Sequence, residues 1–510
     1  MILRLILGDQ LNSQHSWFQE KEKDCCYVLM EMRQETDYAP HHIQKVIAFF
    51  GAMRQFANDL KQNGHQTFYF TLDDPKNKQV LTANLNHLIQ THGIKAFEYQ
   101  EPDEYRLDQQ LKDYCKTLSI PTKCVSSEHF MTAREDLAHF FKGKKQLLME
   151  FFYRNMRKKF DLLMEGDKPE GGQWNYDKNN RKKWKGTPAI PPVYNPPKKT
   201  LEELWQMLLT AGVKTIGSFD AAHFVYPLNR EEALQQLNYF CKNLLQHFGD
   251  YQDASHTEEL NLFHSRLSFA LNVKMISPLE VVNQTIAHYK QHKDTIALSQ
   301  VEGFVRQIIG WREYMRGIYW REMPNYSHQN YLNNHHPLPN FYWTAKTKMN
   351  CLQHSISNSL EHSYAHHIQR LMILGNFALL AQVNPKEVDE WFLGIYADAI
   401  EWVQLPNTRG MSQWADGGIV ATKPYVSSAA YIHKMSNYCE GCHYDKSKRL
   451  GANACPFNSL YWNFLDDKKE AFKNNNRMAM MLRLLEKMPT EERTALKERA
   501  AAILANPDAF

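Results

Sequence analysis

The hydrophobic rhythm of this 510-residue chain changes kind near Thr200, and that change limits the folds open to it. Before it, short apolar runs alternate with helix-like stretches. ILRLILGD opens the chain and ends in a Gly-Asp turn; CCYVLMEM (25–32), TFYFTL (67–72), KAFEYQEP (95–102) and KCVSSEHF (123–130) read as further strands. Between them, 41–60 and 80–92 carry apolar residues at three- and four-residue spacing, with Val46, Phe49, Phe50, Met53 and Phe56 in the first. Such alternation predicts a parallel sheet with helices on both faces. Ligands of these sheets bind beyond the carboxyl ends of the strands. Gly8, Asp9, Gln10 and the stretch from Glu31 to Tyr38 occupy that position. After Thr200 only helical patterns are found, at 201–211, 230–247, 256–272, 278–292, 299–317 and 356–402, with two more helices between Lys468 and Leu504. The expected organisation is an α/β domain over 1–130, a junction over 131–200 and an all-helical domain over 201–510.

The junction begins with a helical pattern from Phe140 to Leu163 and continues into EGGQWNYDKNNRKKWKGTPAIPPVYNPP. Long irregular segments in compact proteins are functional or disordered, and the Trp and Tyr of this one argue for docking. Net charge is only +4, but cations concentrate here. Arg154, Arg157, Lys158, Lys159, Lys178, Arg181, Lys182, Lys183, Lys185, Lys198 and Lys199 interleave with Tyr153, Trp174, Tyr176 and Trp184. Two readings stand: a solvated linker, or phosphate contacts to nucleic acid. No run of about twenty apolar residues exists to span a membrane. Met1 leads into a strand-like run without a cleavage site, so the expected location is the cytoplasm.

Residues 361–413 hold the densest polar chemistry. His366 and His367 open a helix whose Leu371, Leu374, Phe377 and Leu380 form a buried stripe. Arg370 lies inside that stripe and requires an acidic partner, because an unpaired buried charge is costly; Asp398 is the candidate. Pro406, Asn407, Thr408, Arg409 and Gly410 are expected to break the following helix in a turn. His, Arg, Asp and Asn gathered in a helical core point either to a polar cofactor pocket or to satisfied core polars.

Nine cysteines in a cytoplasmic setting do not form a disulfide framework. Five read as buried thiols. Cys439-x-x-Cys442 and Cys455, followed by Pro456, can be joined by Cys351 into a set of four. Four thiolates suit structural Zn²⁺ or a [4Fe–4S] cluster, and the Cys-Pro ending leans toward iron–sulfur.

Several of these pieces together resemble one family. HSRLSFALNVKMISP (264–278) followed by VRQIIGWREYMRG (305–317), the Arg370 and Asp398 pair, and GMSQWADGG (410–418) are similar to the flavin-binding run of photolyases and cryptochromes. The four cysteines, the GDQL opening, the GGQWNYD loop and the His-His pair narrow the resemblance to the iron–sulfur bacterial cryptochromes and photolyases. It covers essentially the whole chain. It implies an α/β antenna domain joined to an all-helical FAD domain, and light-driven repair of (6-4) photoproducts in UV-damaged DNA by a monomer without an obligate protein partner. A signalling cryptochrome with the same cofactors and no repair is the alternative. A third class, an iron–sulfur DNA-binding protein with an empty flavin fold, is distinguished by its visible spectrum.

By resemblance, Tyr251, His264, Ser265, Leu267, Ser268, Gln307, Arg312, Arg370 and Asp398 hold FAD, with Gln404 or Asn407 beside its N5. Gly8, Asp9, Gln10, Glu35 and Tyr38 hold a 6,7-dimethyl-8-ribityllumazine antenna. Cys351, Cys439, Cys442 and Cys455 ligate a [4Fe–4S] cluster. His366 and His367 face the lesion, with Tyr425, Tyr431 and Met411 nearby; His367 is expected to be the proton donor and His366 to tune it. Asp177, beside Arg181, is expected to bring a divalent cation such as Mg²⁺ to the DNA edge. Trp343 and Trp391 belong to the electron-transfer chain, in which Phe392 stands where relatives carry a tyrosine, leaving the route open.

Overall fold

A computed structural model describes residues 1–196 and 201–510; Lys198 and Lys199 of the basic stretch lie outside the described residues. Strands β1 (Ile2–Leu5), β2 (Cys25–Met30), β3 (Gln66–Phe70), β4 (Ala96–Gln100) and β5 (Thr122–Val125) form one parallel sheet in the order β3-β2-β1-β4-β5. β1 is central, and Leu3 registers with Cys26 on one side and Phe97 on the other. Every residue of β2 is buried. Because side chains alternate along a strand, Cys25, Tyr27 and Leu29 enter one core cluster while Cys26, Val28 and Met30 enter another. The first cluster continues into the helical half, so the sheet is covered on both faces and one cover is the other domain.

Helices Ile43–Gln62 and Leu81–Thr91 form where the apolar spacing predicts them. Helix Tyr105–Thr117 adds to the expected elements, and its buried Leu107, Leu111 and Tyr114 stand at the four- and three-residue spacing of one helical face. The expected helix from Phe140 to Leu163 is shorter. Its ordered part is Met149–Lys159, and Gly143 at φ +74° ends the turn before it. The helical reading of 256–272 holds only for Ser268–Asn272. The preceding loop passes through positive φ at Leu262 and Arg266, which a helix does not permit. Pro406 does not end its helix. Glu401–Leu405 runs on into a wide π-turn at Pro406–Ser412, which accommodates a residue lacking an N–H donor. Helix Pro456–Asp467 was also not anticipated.

The two halves are tied by polar contacts. A two-residue parallel bridge pairs His41–His42 with Thr215–Ile216. Lys45 donates to the carbonyls of Leu393 (2.7 Å) and Ala399 (2.8 Å). Lys274, fully buried, reaches back to Asp9 (3.0 Å) and Asp103 (2.7 Å). No helix among the described residues is long and apolar enough to cross a membrane.

Candidate active site

Three π-turns wall one cavity of 360 Å³ in the helical half: Arg306–Arg312, Gln369–Gly375 and Pro406–Ser412. Each is a local widening inside a longer helix, a device that recurs at functional sites because it redirects side chains. The first supplies Gln307 and Arg312, the second Arg370, and the third Asn407, Thr408 and Ser412. The second and third approach closely at Gly375, where a Cβ would lie 2.0 Å from the Ser412 Oγ.

Arg370 and Asp398 pair across the cavity in a two-pronged bridge, with Nη1–Oδ1 at 2.9 Å and Nη2–Oδ2 at 3.2 Å. Burial pushes the Asp398 carboxyl up, but Arg370 outweighs burial and holds it below the usual carboxylate range. The guanidinium also donates to Ala365 O (2.6 Å) and lies 3.8 Å over the Tyr396 ring. Asn272 Nδ2 donates to the Asp398 carbonyl (2.7 Å). The irregular loop before Ser268 brings His264, Ser265, Leu267 and Ser268 into the same wall.

His366 is buried and His367 exposed toward the cavity. Ser255 Oγ lies 2.9 Å from His366 Nε2, and the ring stacks on His264 at 4.8 Å. Burial, His264 and His367 all push the His366 imidazole well below its ordinary pKa. For His367, crowding by the cavity wall and then Arg370 lower it to about 4, so the free site holds both rings neutral at pH 7. Ser255 gave no sequence signal.

Gln404 and Asn407 both line the cavity, one turn apart. Gln404 is buried and donates to Thr408 Oγ1 (2.8 Å). Asn407 donates to Val403 O (2.7 Å), leaving its side-chain carbonyl without a partner among the described residues. Asn407 is the better placed of the two to face a ligand. Tyr251 is not part of the wall. Its hydroxyl donates to Thr187 O (3.3 Å) and its ring packs on Phe263, because from the helix Leu245–Tyr251 it is Phe248 that lines the cavity.

At the mouth, Asp253 lines the cavity and forms an electrostatic cluster with Asp177, Arg181, Arg306, Tyr425 and Tyr431. Burial, then Asp177, pushes Asp253 up to about 6. Both Asp177 oxygens are engaged, one with Arg306 (3.3 Å) and the other with Arg181. A divalent cation at Asp177 would therefore have to displace a guanidinium, and the described residues contain no group of three or more His, Cys, Asp or Glu placed to hold one ion. Met411 is buried in the core rather than facing outward, since it points away from the cavity on the π-turn. Within the basic stretch, Arg157 and Trp174 are structural: Arg157 donates to the Trp174 (3.0 Å) and Leu162 (3.1 Å) carbonyls.

Comparisons with known proteins come to the same place. A family model described as Deoxyribodipyrimidine photo-lyase-related protein matches residues 4–224. The chain is 41% identical over 514 residues to the (6-4) photolyase of Agrobacterium fabrum, covering 99% of each. This chain belongs to the photolyase family. Two solved structures share its fold. One is a bacterial class III photolyase from Agrobacterium tumefaciens, with TM-score 0.59 at 14% identity over 99% of this chain and 97% of that one. The other is the Synechocystis cryptochrome, with TM-score 0.54 at 13% identity over 81% and 82%.

The family implies FAD, and the cavity of this photolyase-family protein fits it. Arg312 Nε and His366 Nδ1 are buried without a hydrogen-bond partner among the described residues, and Arg312 Nη1 has only Glu313 at 3.8 Å, as groups awaiting a polar ligand would be. A second cavity, of 140 Å³, opens at the carboxyl ends of β1, β2 and β4. Gly8, Asp9, Glu35 and Tyr38 line it, joined by Lys45, Glu104, Glu401 and Trp402, which the sequence reading had not assigned. Gln10 does not line it. Fully buried, Gln10 accepts from Leu7 N (3.0 Å) and donates to Gln100 O (3.3 Å) and Glu101 O (3.2 Å), stapling the ends of β1 and β4. Arg106 holds Glu35 (2.7 Å) and Glu104 (2.6 Å) and lies 4.8 Å over Tyr38. Burial, then Glu104, pushes the Glu401 carboxyl up to about 8, so the two carboxyls share one proton at neutral pH.

Cys351, Cys439, Cys442 and Cys455 are free thiols that interact electrostatically with one another. Burial, then the neighbouring thiols, pushes Cys351 well up. Burial likewise takes Cys439 to about 11 and Cys455 to about 12. Among the described residues no group of three or more His, Cys, Asp or Glu, these four cysteines included, is placed to hold a single ion. Cys455 caps helix Pro456–Asp467, where the Phe457 and Asn458 amides and the helix dipole favour a thiolate.

Trp391 is fully buried and donates to Tyr342 O (3.0 Å); Trp343 is 40% exposed. The Trp391 ring meets Tyr342 at 5.3 Å, Phe392 at 5.3 Å and Tyr396 at 5.9 Å. Phe392 and Tyr396 both line the flavin cavity, so a tyrosine does stand between Trp391 and the cavity, four positions beyond Phe392.

Proposed function

We propose that this protein is a light-driven (6-4) DNA photolyase, acting in the cytoplasm as a monomer on UV-damaged DNA. The observation that carries the reading is His367, exposed at the cavity that the Arg370–Asp398 pair also lines. A (6-4) lesion holds a transferred hydroxyl or amino group that must return to its original base. Reduced FAD bound in the cavity supplies the photoexcited electron. The damaged bases must leave the stack to come within reach. Arg181, Lys182 and Lys183, which are paired with Asp177, Asp250 and Glu440 in the free protein, hold backbone phosphates. Tyr425 and Tyr431 pack against the extruded bases.

His367 then donates a proton to the lesion, which stops the electron from returning. Its depressed pKa is a property of the free site, where Arg370 and His264 are the neighbours. Anionic ligands, DNA phosphates among them, favour the imidazolium and reverse that shift. His366, fixed by Ser255 and stacked on His264, sets the orientation of its neighbour. The reading extends to a [4Fe–4S] cluster at Cys351, Cys439, Cys442 and Cys455, and to a lumazine antenna in the sheet-end cavity.

The test is illumination of the reduced protein with an oligonucleotide containing one (6-4) lesion. Base restoration is expected in the parent protein and should fall by roughly 10² or more in His367→Ala with flavin still bound. Equal restoration in that variant would remove His367 as donor. A photoreducible protein that leaves the lesion untouched would be a signalling cryptochrome.

A further inference from the structure

The two cavities share a wall. Trp402 lines the sheet-end cavity and Arg312 lines the flavin cavity. The Arg312 guanidinium lies 4.8 Å over the Trp402 ring and 4.9 Å over Phe130, and Phe130 meets Trp402 edge-on at 5.3 Å. Trp402 is 1% exposed, yet its indole N–H has no partner among the described residues. Three other buried tryptophans have satisfied indoles. Trp184, Trp391 and Trp414 each donate to a backbone carbonyl at 2.9, 3.0 and 2.7 Å. Trp320 is also unpaired, but it lines neither cavity. A buried donor without an acceptor is costly and is kept where a ligand completes it.

We propose that Trp402 is a ligand-binding residue of the sheet-end cavity, donating its indole N–H to a planar heteroaromatic occupant, and that through Arg312 it couples occupancy of this cavity to that of the flavin cavity. This rests on the reading of the sheet-end cavity as the antenna site. The acceptor is a ring carbonyl or ring nitrogen. Of the carboxyl groups lining the same cavity, Asp9 and Asp103 are paired with Lys274 and Glu35 and Glu104 with Arg106, but their further lone pairs and Glu401 remain as acceptors, so the occupant also presents N–H or O–H donors. An amide-edged pteridine or flavin ring meets both demands, and a phosphate group does not.

The coupling follows from the packing. An occupant that accepts from Trp402 pins the indole, and the indole is one of the two aromatic faces that hold Arg312. Arg312 is itself loosely held: Nη2 lies 3.1 Å from His129 Nε2 and reaches Leu271 O (3.2 Å) and Asn272 Oδ1 (3.4 Å), Nη1 has only a long ion pair to Glu313 (3.8 Å), and Nε has no hydrogen-bond partner among the described residues. Ordering it from one side lowers the cost of ordering it from the other, and the linkage is reciprocal.

The experiment uses full-length, flavin-loaded protein titrated with 6,7-dimethyl-8-ribityllumazine, and with flavin mononucleotide as a second probe. Trp402→Phe keeps a ring and removes the N–H; Trp402→Leu removes the ring. Lumazine affinity should fall about tenfold in Trp402→Phe at unchanged thermal midpoint. Flavin release from the parent protein should slow about threefold or more when lumazine is bound, and that ratio should return to one in Trp402→Leu. Trp402→Phe binding lumazine within twofold of the parent overturns the hydrogen bond. Flavin release indifferent to lumazine in the parent overturns the coupling. A parent protein that takes up neither probe overturns the antenna reading and this inference together.

Discussion

Asp398→Asn tests the pair at the centre of the site. The change keeps shape and removes the counter-charge of Arg370, whose side chain is 22% exposed against 14% for Asp398. What remains to the guanidinium is the Ala365 carbonyl at 2.6 Å and the Tyr396 face at 3.8 Å. Neither offsets a full charge, and Lys45, whose charge also acts on Asp398, is left with Glu104 as its counter-charge. Breaking a buried pair on one side costs about 3–5 kcal/mol, and partial access to solvent puts this case near the lower end, about 3 kcal/mol. Replacing both partners in Arg370→Met with Asp398→Asn removes the stranded cation and should recover most of that loss, while the polar wall of the cavity stays lost. The assay is equilibrium unfolding together with the flavin retained after gel filtration. The single variant should lose stability and flavin; the double variant should regain stability alone. A single variant within 1 kcal/mol of the parent, or a double variant no more stable than the single, would refute the argument that the pair is an electrostatic unit.

Gly375→Ala gains about 1 kcal/mol of helix propensity but places a Cβ 2.0 Å from Ser412 Oγ, so overpacking of about 1–3 kcal/mol wins and the thermal midpoint should drop, with partial recovery in the Gly375→Ala, Ser412→Ala pair. His42, fully buried with its Nε2 2.8 Å from Leu360 O, is lowered by burial from 6.5 to about 4. The unfolded chain binds that proton first, so stability falls as pH drops from 6.5 to 4, by up to about 3 kcal/mol, and a thermal-midpoint series in His42→Gln should be flatter across that window. Glu401 has the opposite sign. Raised from 4.5 to about 8, it keeps its proton in the fold while the unfolded chain loses it, so its contribution declines from pH 4.5 to 8, and Glu401→Gln should remove that decline. Cys351→Ser and Cys455→Ser should each reduce bound iron and sulfide by elemental analysis, whereas Cys241→Ser, a buried thiol elsewhere in the core, should not.

The alternation of strands and helices before Thr200 and the helical rhythm after it were legible because periodicity is local: each strand or helix declares its buried face in its own few residues. The polar outliers in those patterns were legible for the same reason, since Arg370 within an apolar stripe calls for a partner and Asp398 stands one helix away. What the chain could not announce was anything made by two distant segments at once. Pro406 reads as a breaker until a π-turn absorbs it. Gln10 reads as a cavity residue until the fold turns it onto β4. Tyr396, Ser255 and Glu104 carry no local mark. The unpaired indole of Trp402 exists only because the carboxyl ends of the strands meet the helical half there. Sequence alone determined which segments would bury themselves and which charges needed company. Tertiary packing decided which groups face a common space, because cavity walls are set by where whole elements stop against one another, and no single element encodes that distance.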